Sequence, residues 1–352
     1  MILSINPGSS SLKYKLFDSS LNVVSEDSFD IGSESEDFNF AIEKMFKYIE
    51  SNFAEIEKIA VRVVHGGPNY SDTIQINDEV LSEIEKYSSL APLHNPPALN
   101  VIKNLMQKFD QEKIYAVFDT GYFSSLPEEA SKYAIGDVQT PVTIKRYGFH
   151  GISHKFMQEE VDSDNSKKII TIHLGAGCSI SAIDMGKVVA TSMGLTPDEG
   201  LVMQTRSGDL DPGLILYLVS QIGLEETKEL IEKKSGLAGM TGTTGSMTDV
   251  LLLADEEVTG ADYDLKIEKT EELSQKAKLA LNVYVNKIKQ YIGAYSALMG
   301  GVDEIVFSGQ IGSKSKVIRD KVMSKMEFLG NIEIKIVEAD EELAMAKLIN
   351  KI

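Results

Sequence analysis

The chain has a single cysteine, Cys178, so no intrachain disulfide can staple it, and the setting it fits is a reducing one. Cations are scarce as well, with 35 Lys and Arg against 53 Asp and Glu and a formal charge of -18. No basic stripe runs through the sequence, which argues against a nucleic-acid partner or an anionic membrane surface. Long apolar runs are missing too. The first residues, Met1 to Asn6, carry no basic leader, and no later segment is long enough to cross a bilayer. The expectation is a soluble, cytoplasmic protein in which an anionic substrate must be met by a few local cations. Histidine is rare, with five copies, yet each lies in a dense block of Gly, Pro, Arg or aromatic residues.

What is present suffices for two domains. The hydrophobic content is 43%, and 352 residues exceed the length over which one core keeps growing. Near the middle lies Arg146-Tyr147-Gly148-Phe149-His150-Gly151-Ile152-Ser153-His154, where glycines flank an aromatic and a histidine. Such a backbone bends sharply or approaches a ligand closely, and a histidine beside a cation suits an anion.

Two hairpins share one design. Ile2 to Ile5 reads as a buried strand, Asn6-Pro7-Gly8-Ser9-Ser10-Ser11 as a turn, and Leu12 to Asp18 as an alternating strand. The second copy runs Ile169 to Ile172, His173-Leu174-Gly175-Ala176-Gly177-Cys178-Ser179, then Ile180 to Asp184. Turns of this kind form anion-binding nests, and Lys13 adds a charge to the first. One such hairpin opening each half predicts a duplicated domain with a cleft between the copies. Two more strands, Ala116 to Phe118 and Ile305 to Phe307, run into the glycine turns at Gly121 and Gly309 to Gly312, where α/β sheets collect ligands. Helical patterns cover Asn39–Asn52, Asp78–Ser88, Pro97–Phe109, Leu210–Ile222, Ile267–Met299 and Ser315–Phe328, with a short final helix from Glu341. Ser19 to Glu36 reads as a solvated acidic excursion, and Glu225 to Lys234 as a charged helix face.

These blocks together resemble the acetate kinase family, within the acetate and sugar kinase, heat-shock chaperone and actin superfamily. The resemblance runs almost end to end and rests on Asn6 to Lys13, Arg62 to Gly67, Pro92 to Pro97, Phe118-Asp119-Thr120, Arg146 to His154, His173 to Gly177, Thr191 to Leu201 and Thr205 to Asp209. It implies an α/β fold of two duplicated ribonuclease-H-like, actin-like ATPase domains around an interdomain cleft: residues 1–122 with 342–352, and 123–341. It also implies a homodimer built on the second domain. The implied reaction is reversible phosphoryl transfer from ATP to acetate, giving acetyl phosphate and ADP, with Mg²⁺ or Mn²⁺. A carboxylate is ionised at neutral pH, so no general base is needed; the obstacle is bringing one anion onto another.

By the same resemblance, Arg62 and Arg206 clamp the carboxylate and the transferring phosphoryl group, and His150 and His94 help stabilise the transition state. Asp119 is catalytic and, with Asn6 and Glu341, belongs to the metal site. Ser9, Ser11, Lys13, and His173 with Leu174, Gly175, Ala176 and Gly177, bind phosphates, as Gln310, Ile311 and Gly312 bind the nucleotide. Val64, Leu93, Phe149 and Pro197 form the methyl pocket, which rejects one extra methylene by only about 1–3 kcal/mol, so propionate is expected as a slower substrate.

The departures from the family gather at the base site. Its usual Asp-x-Arg reads Ser246-Met247-Thr248, and its Gly-Ile-Gly-Glu-Asn loop reads Gln310-Ile311-Gly312-Ser313-Lys314. Loss of a stacking arginine forfeits about 0.5–2 kcal/mol. A pyrophosphate-using branch of the family has a glutamine at this loop position, which leaves pyrophosphate open as the donor. A non-catalytic, nucleotide-responsive binding protein is the third reading.

Overall fold

The computed structural model describes residues 1–8, 11–31, 35–53, 55–70, 73–258 and 265–352, so Ser9, one of the expected phosphate ligands, lies outside the described residues. Within them the chain forms two mixed β-sheets with helices packed on them. The first sheet contains β1 (Ile2–Pro7), β2 (Ser11–Phe17), β3 (Val23–Asp30), β4 (Lys58–Val63), β5 (Ile74–Gln75) and β6 (Ile114–Phe118), in the order β3-β2-β1-β4-β6-β5. The second contains β7 (Lys168–Leu174), β8 (Cys178–Asp184), β9 (Lys187–Thr191), β10 (Glu304–Ser308) and β11 (Glu333–Ile336), in the order β11-β10-β7-β8-β9.

The duplication is legible in these orders. In each sheet the opening strand pairs antiparallel with the next strand and parallel with a later one: β1 with β2 and β4, β7 with β8 and β10. Each opening strand is buried along most or all of its length. A strand covered on both faces needs a continuous apolar run, which Ile2 to Ile5 and Ile169 to Ile172 supply. Each fully buried Leu or Ile contributes about 1.5–3 kcal/mol.

Contacts divide the chain into two units: residues 1–125, 133–156 and 340–352, and residues 126–132 and 157–339. The first reaches further than a boundary at 122, because Tyr147 and Phe149 pack around His65, with ring centroids 4.5 and 5.5 Å away. The helix Glu341–Asn350 lies against β1 and β4 of the same unit. In the second unit the 29-residue helix Glu271–Met299 covers β7 and β8. The Thr270 hydroxyl accepts from Leu273 N–H at 3.2 Å to start it, and Gly300, in the left-handed region, ends it.

Two expectations need correction. The segment Ser19 to Glu36 is not only a solvated excursion: Val23–Asp30 is an edge strand paired with β2. Its side chains are mostly exposed on both faces, so no buried alternation marks it, and its charges suit a strand that must not recruit another. The glycine turn expected after β10 is instead the start of a short helix, Gly309–Lys314. Gly309 sits at φ +79, and an added Cβ there would lie 2.5 Å from the Leu174 carbonyl oxygen. Glycine is thus required for the close approach of this helix to β7.

Candidate active site

The carboxyl ends of β1, β4 and β6 deliver Asn6, Arg62 and Asp119, and the final helix brings Glu341 and Glu342 to the same place. Arg62 is engaged at all three nitrogens. Its Nε donates to both Asp119 oxygens at 3.2 and 3.1 Å, and its Nη2 to Asp119 Oδ2 at 2.7 Å. Its Nη1 donates to Glu341 Oε2 at 2.7 Å and to Asn6 Oδ1 at 3.1 Å. The Asn6 amide in turn donates to Glu341 Oε2 and Glu342 Oε1, each at 2.9 Å. Its orientation follows: two acceptors face the NH₂ and one donor faces the oxygen.

This cluster holds three carboxylates against one guanidinium, a formal excess of two negative charges. Asp119 is 1% exposed and Glu342 8%. Burial, with Glu341 nearby, pushes Asp119 up to about 6 against the pull of Arg62. Burial also raises Glu342, and Glu341 adds to that. Arg62 is raised, its burial being outweighed by Asp119 and Glu341. Buried negative charge in excess is what a divalent cation would neutralise, and the donors are all hard oxygens. Among the described residues no three His, Cys, Asp or Glu side chains converge closely enough to hold a metal ion. Magnesium, which keeps several of its waters, suits such a partial set. Glu342 was not read from the sequence, because an acidic residue in the first turn of a helix is expected from the helix dipole alone. Its signal was adjacency to Glu341.

The block Arg146 to His154 joins this centre through its backbone. Gly151 N–H donates to the Asp119 carbonyl at 2.9 Å, and a Cβ on Gly151 would sit 2.1 Å from that oxygen. Only glycine fits. His150 precedes the helix Gly151–Val161 at φ +57, a left-handed conformation rare outside glycine, and strain of this kind gathers at functional positions. Phe149 and Val64 are both buried, whereas Leu93 is 42% exposed, so the structure does not enclose it as the methyl pocket requires. Its exposure follows from its place in the turn before the helix Asn95–Leu105, which Pro96 and Pro97 open. His94, half-buried, is the residue just before that helix.

In the second unit Arg206 is differently placed. Its Nη1 donates to the Pro197 carbonyl at 2.6 Å, and it makes no ion pair among the described residues. Burial lowers its pKa, with Asp198, Cys178 and Glu232 acting in the opposite sense. A half-buried guanidinium held by a single carbonyl keeps donors for an anion. His173, the last residue but one of β7, is buried, and Gly175 N–H closes the turn on the Gly177 carbonyl at 3.0 Å. Beside that turn opens a cavity of about 280 Å³, lined by Gly175, Ala176, Met247, Leu251, Gln310 and Ile311, with Ser246 and Thr248. The sequence departures at the expected base site line this space and do not fill it. Gly312 is buried against Leu174, while Ser11 is half-buried and Lys13 exposed at the start of β2.

Two sheets of duplicated order, with carboxylates and an arginine at the strand ends of one and a glycine turn beside a cavity in the other, define a phosphotransferase of the actin-like ATPase fold. Residues 21–350 match the model of the acetokinase family, and the chain belongs to that family. The acetate kinase of Bacillus cereus is 38% identical over an alignment covering 94% of this chain and 87% of the relative. Acetate kinase from Porphyromonas gingivalis superposes with a TM-score of 0.81 at 32% identity, covering 98% of both chains. A propionate kinase from Francisella tularensis does so with 0.85 at 30%, again over 98% of both.

Proposed function

We propose that the protein transfers a phosphoryl group reversibly from ATP to acetate, giving acetyl phosphate and ADP, with magnesium or manganese. Acetate is assigned to Arg62, whose guanidinium, held in this structure by Asp119, Glu341 and Asn6, would trade one of these acceptors for the substrate carboxylate, with Val64, Phe149 and Pro197 toward its methyl group. Arg206, His150 and His94 are assigned to the charge on the transferring group, where fixed cations and donors supply most of the catalysis. Asn6, Asp119 and Glu341, with Glu342 behind Asn6, would hold the cation; when bound, it neutralises phosphate charge. Ser11, Lys13 and the turn from His173 to Gly177 are assigned to the phosphates.

The observation that carries the donor is the cavity beside Gly175. Its volume of about 280 Å³ stands at the lower end of the range of about 300–1,000 Å³ typical of small-molecule sites, and Met247, Leu251 and Ile311 give it an apolar wall for a base. Gln310 on its lining keeps pyrophosphate as the second reading, since no arginine is there to stack on adenine. The test is a hydroxylamine trap on acetate, MgATP and enzyme. Acetyl hydroxamate forming saturably is expected, with propionate giving a slower signal. No acyl hydroxamate from either acid with any phosphoryl donor would sink the reading.

The protein acts as a cytoplasmic homodimer. Among the described residues no helix is long and apolar enough to cross a membrane. The helix Pro212–Ile222 has no buried residue, and Leu214, Leu216, Tyr217 and Leu224 stand 42–72% exposed on and beside it. An apolar patch of this kind marks a protein interface, and a second copy fits the homodimer that the family resemblance implies. Light scattering is expected to give twice the 38.7 kDa chain mass for the native protein and one chain mass for the Leu216→Glu, Tyr217→Glu double variant. A native monomer contradicts the dimer.

A further inference from the structure

Arg206 lies on a segment, residues 192–211, that contains no regular helix or strand, although the residue itself is half-buried. A loop of that length does not hold a half-buried cation in place by itself, so its ties matter. Within the loop, Arg206 Nη1 meets the Pro197 carbonyl at 2.6 Å and Met203 N–H donates to the Arg206 carbonyl at 3.1 Å. The loop is closed by Asp209. Its N–H donates to the Gly200 carbonyl at 3.1 Å, and Gly200 N–H donates back to Asp209 Oδ1 at 2.9 Å. Gly200 lies between Pro197 and Arg206 in the chain, so this tie fixes the turn that carries both ends of the Arg206 to Pro197 bond.

The other oxygen of Asp209 reaches out of the loop. Tyr291 O–H donates to Oδ2 at 2.9 Å, and Lys287 Nζ lies 3.5 Å away. Both belong to the helix Glu271–Met299, the longest among the described residues, which packs on the sheet that ends in the His173 turn. One carboxylate thus fastens the loop to itself with one oxygen and to a rigid element with the other. We propose that Asp209 and Tyr291 are positioning residues for Arg206: they do not touch substrate, and they hold the guanidinium where the transferring phosphoryl group meets it. Hydrogen-bonded supports behind a catalytic group set its aim, and small misplacements cost rate more than binding.

The proposal rests on the assignment of Arg206 to the phosphoryl group, and its test separates the two. Tyr291→Phe removes one hydroxyl and keeps the ring that packs edge-on against Tyr295, with centroids 5.5 Å apart. It is expected to lower kcat about 10-fold, with KM for acetate and for MgATP within about twofold. The melting temperature is expected to stay within about 2 °C, as for a change that leaves packing intact. In an Arg206→Ala background the same change is expected to lower kcat by less than about twofold, because the group it positions is gone. Asp209→Asn, which leaves one side-chain acceptor for Gly200 N–H, Tyr291 O–H and Lys287 Nζ, is expected to lower kcat with the same dependence on Arg206. An equal loss in both backgrounds, an unchanged kcat, or a loss that only tracks a fallen melting temperature overturns the positioning role. If Arg206→Ala alone leaves kcat unchanged, the assignment of Arg206 fails first.

Discussion

Arg206→Ala lowers kcat by about 10³-fold while leaving the melting temperature unchanged or slightly raised. The size follows from what an arginine on a transferring phosphoryl group contributes, about 10³–10⁵ in rate. The stability half follows from the structure. Arg206 is half-buried, partial desolvation lowers its pKa, and no carboxylate pairs with it among the described residues. A cation kept in that state costs folding energy, so its removal relieves a strain and leaves a small void of opposite sign. Arg62 is the contrast. Its removal strands Asp119, Glu341 and Glu342 without a counter-charge, and breaking such a buried pair costs about 3–5 kcal/mol. Arg62→Ala is therefore unstable and inactive, and Arg206→Ala is stable and inactive. Steady-state kinetics and thermal melts on both variants check the pair. A loss below about 10-fold in kcat for Arg206→Ala removes that residue from the phosphoryl site.

Asp119→Asn lowers kcat by about 10²-fold, the scale of a lost ligand or its close support, and changes how stability depends on pH. The folded carboxyl is raised to about 6 from 3.8 by burial and by Glu341. A raised acid binds its proton more tightly in the folded state. The stability this contributes is fully present below the unfolded value and is lost as pH rises through about 6. Asparagine imitates the protonated acid and does not titrate. The melting temperature of the variant minus that of the native protein, measured in chelator, is therefore expected to grow from about pH 4.5 to pH 7. Adding magnesium at pH 7 reverses the sign by raising the native protein more than the variant, because a ligand that binds only the folded state stabilises it. A difference that stays flat with pH contradicts the charge excess assigned to this cluster.

The parts of the fold that could be read from the sequence are those with one physical cause. β1 and β7 are covered on both faces, so their apolar runs and the turns after them stand out, and the duplication follows. β3 was hidden because it buries almost nothing, and the helix at Gly309 because glycine marks close packing there and not a turn. At the site, Asn6, Arg62 and Asp119 stand in recognisable blocks, whereas Glu341 stands in none and is expected there only from the family resemblance. Their mutual engagement was not legible, since Arg62 meets partners 57 and 279 positions away. The same distance in sequence concealed Tyr291, 82 positions from Asp209. In sequence Glu342 is indistinguishable from an ordinary acidic first turn of a helix; the Asn6 amide between it and Glu341 is what ties it to the site.

The donor is the claim on which the cavity and the substituted loops bear together. Acetyl hydroxamate formation with ATP and with pyrophosphate, measured side by side at saturating acetate and magnesium, tests it most directly. Saturable turnover with ATP is expected, and a rate at least about 10²-fold lower with pyrophosphate, since only ATP can place a base in the cavity lined by Met247, Ile311 and Gln310. Turnover with pyrophosphate and none with ATP would contradict it.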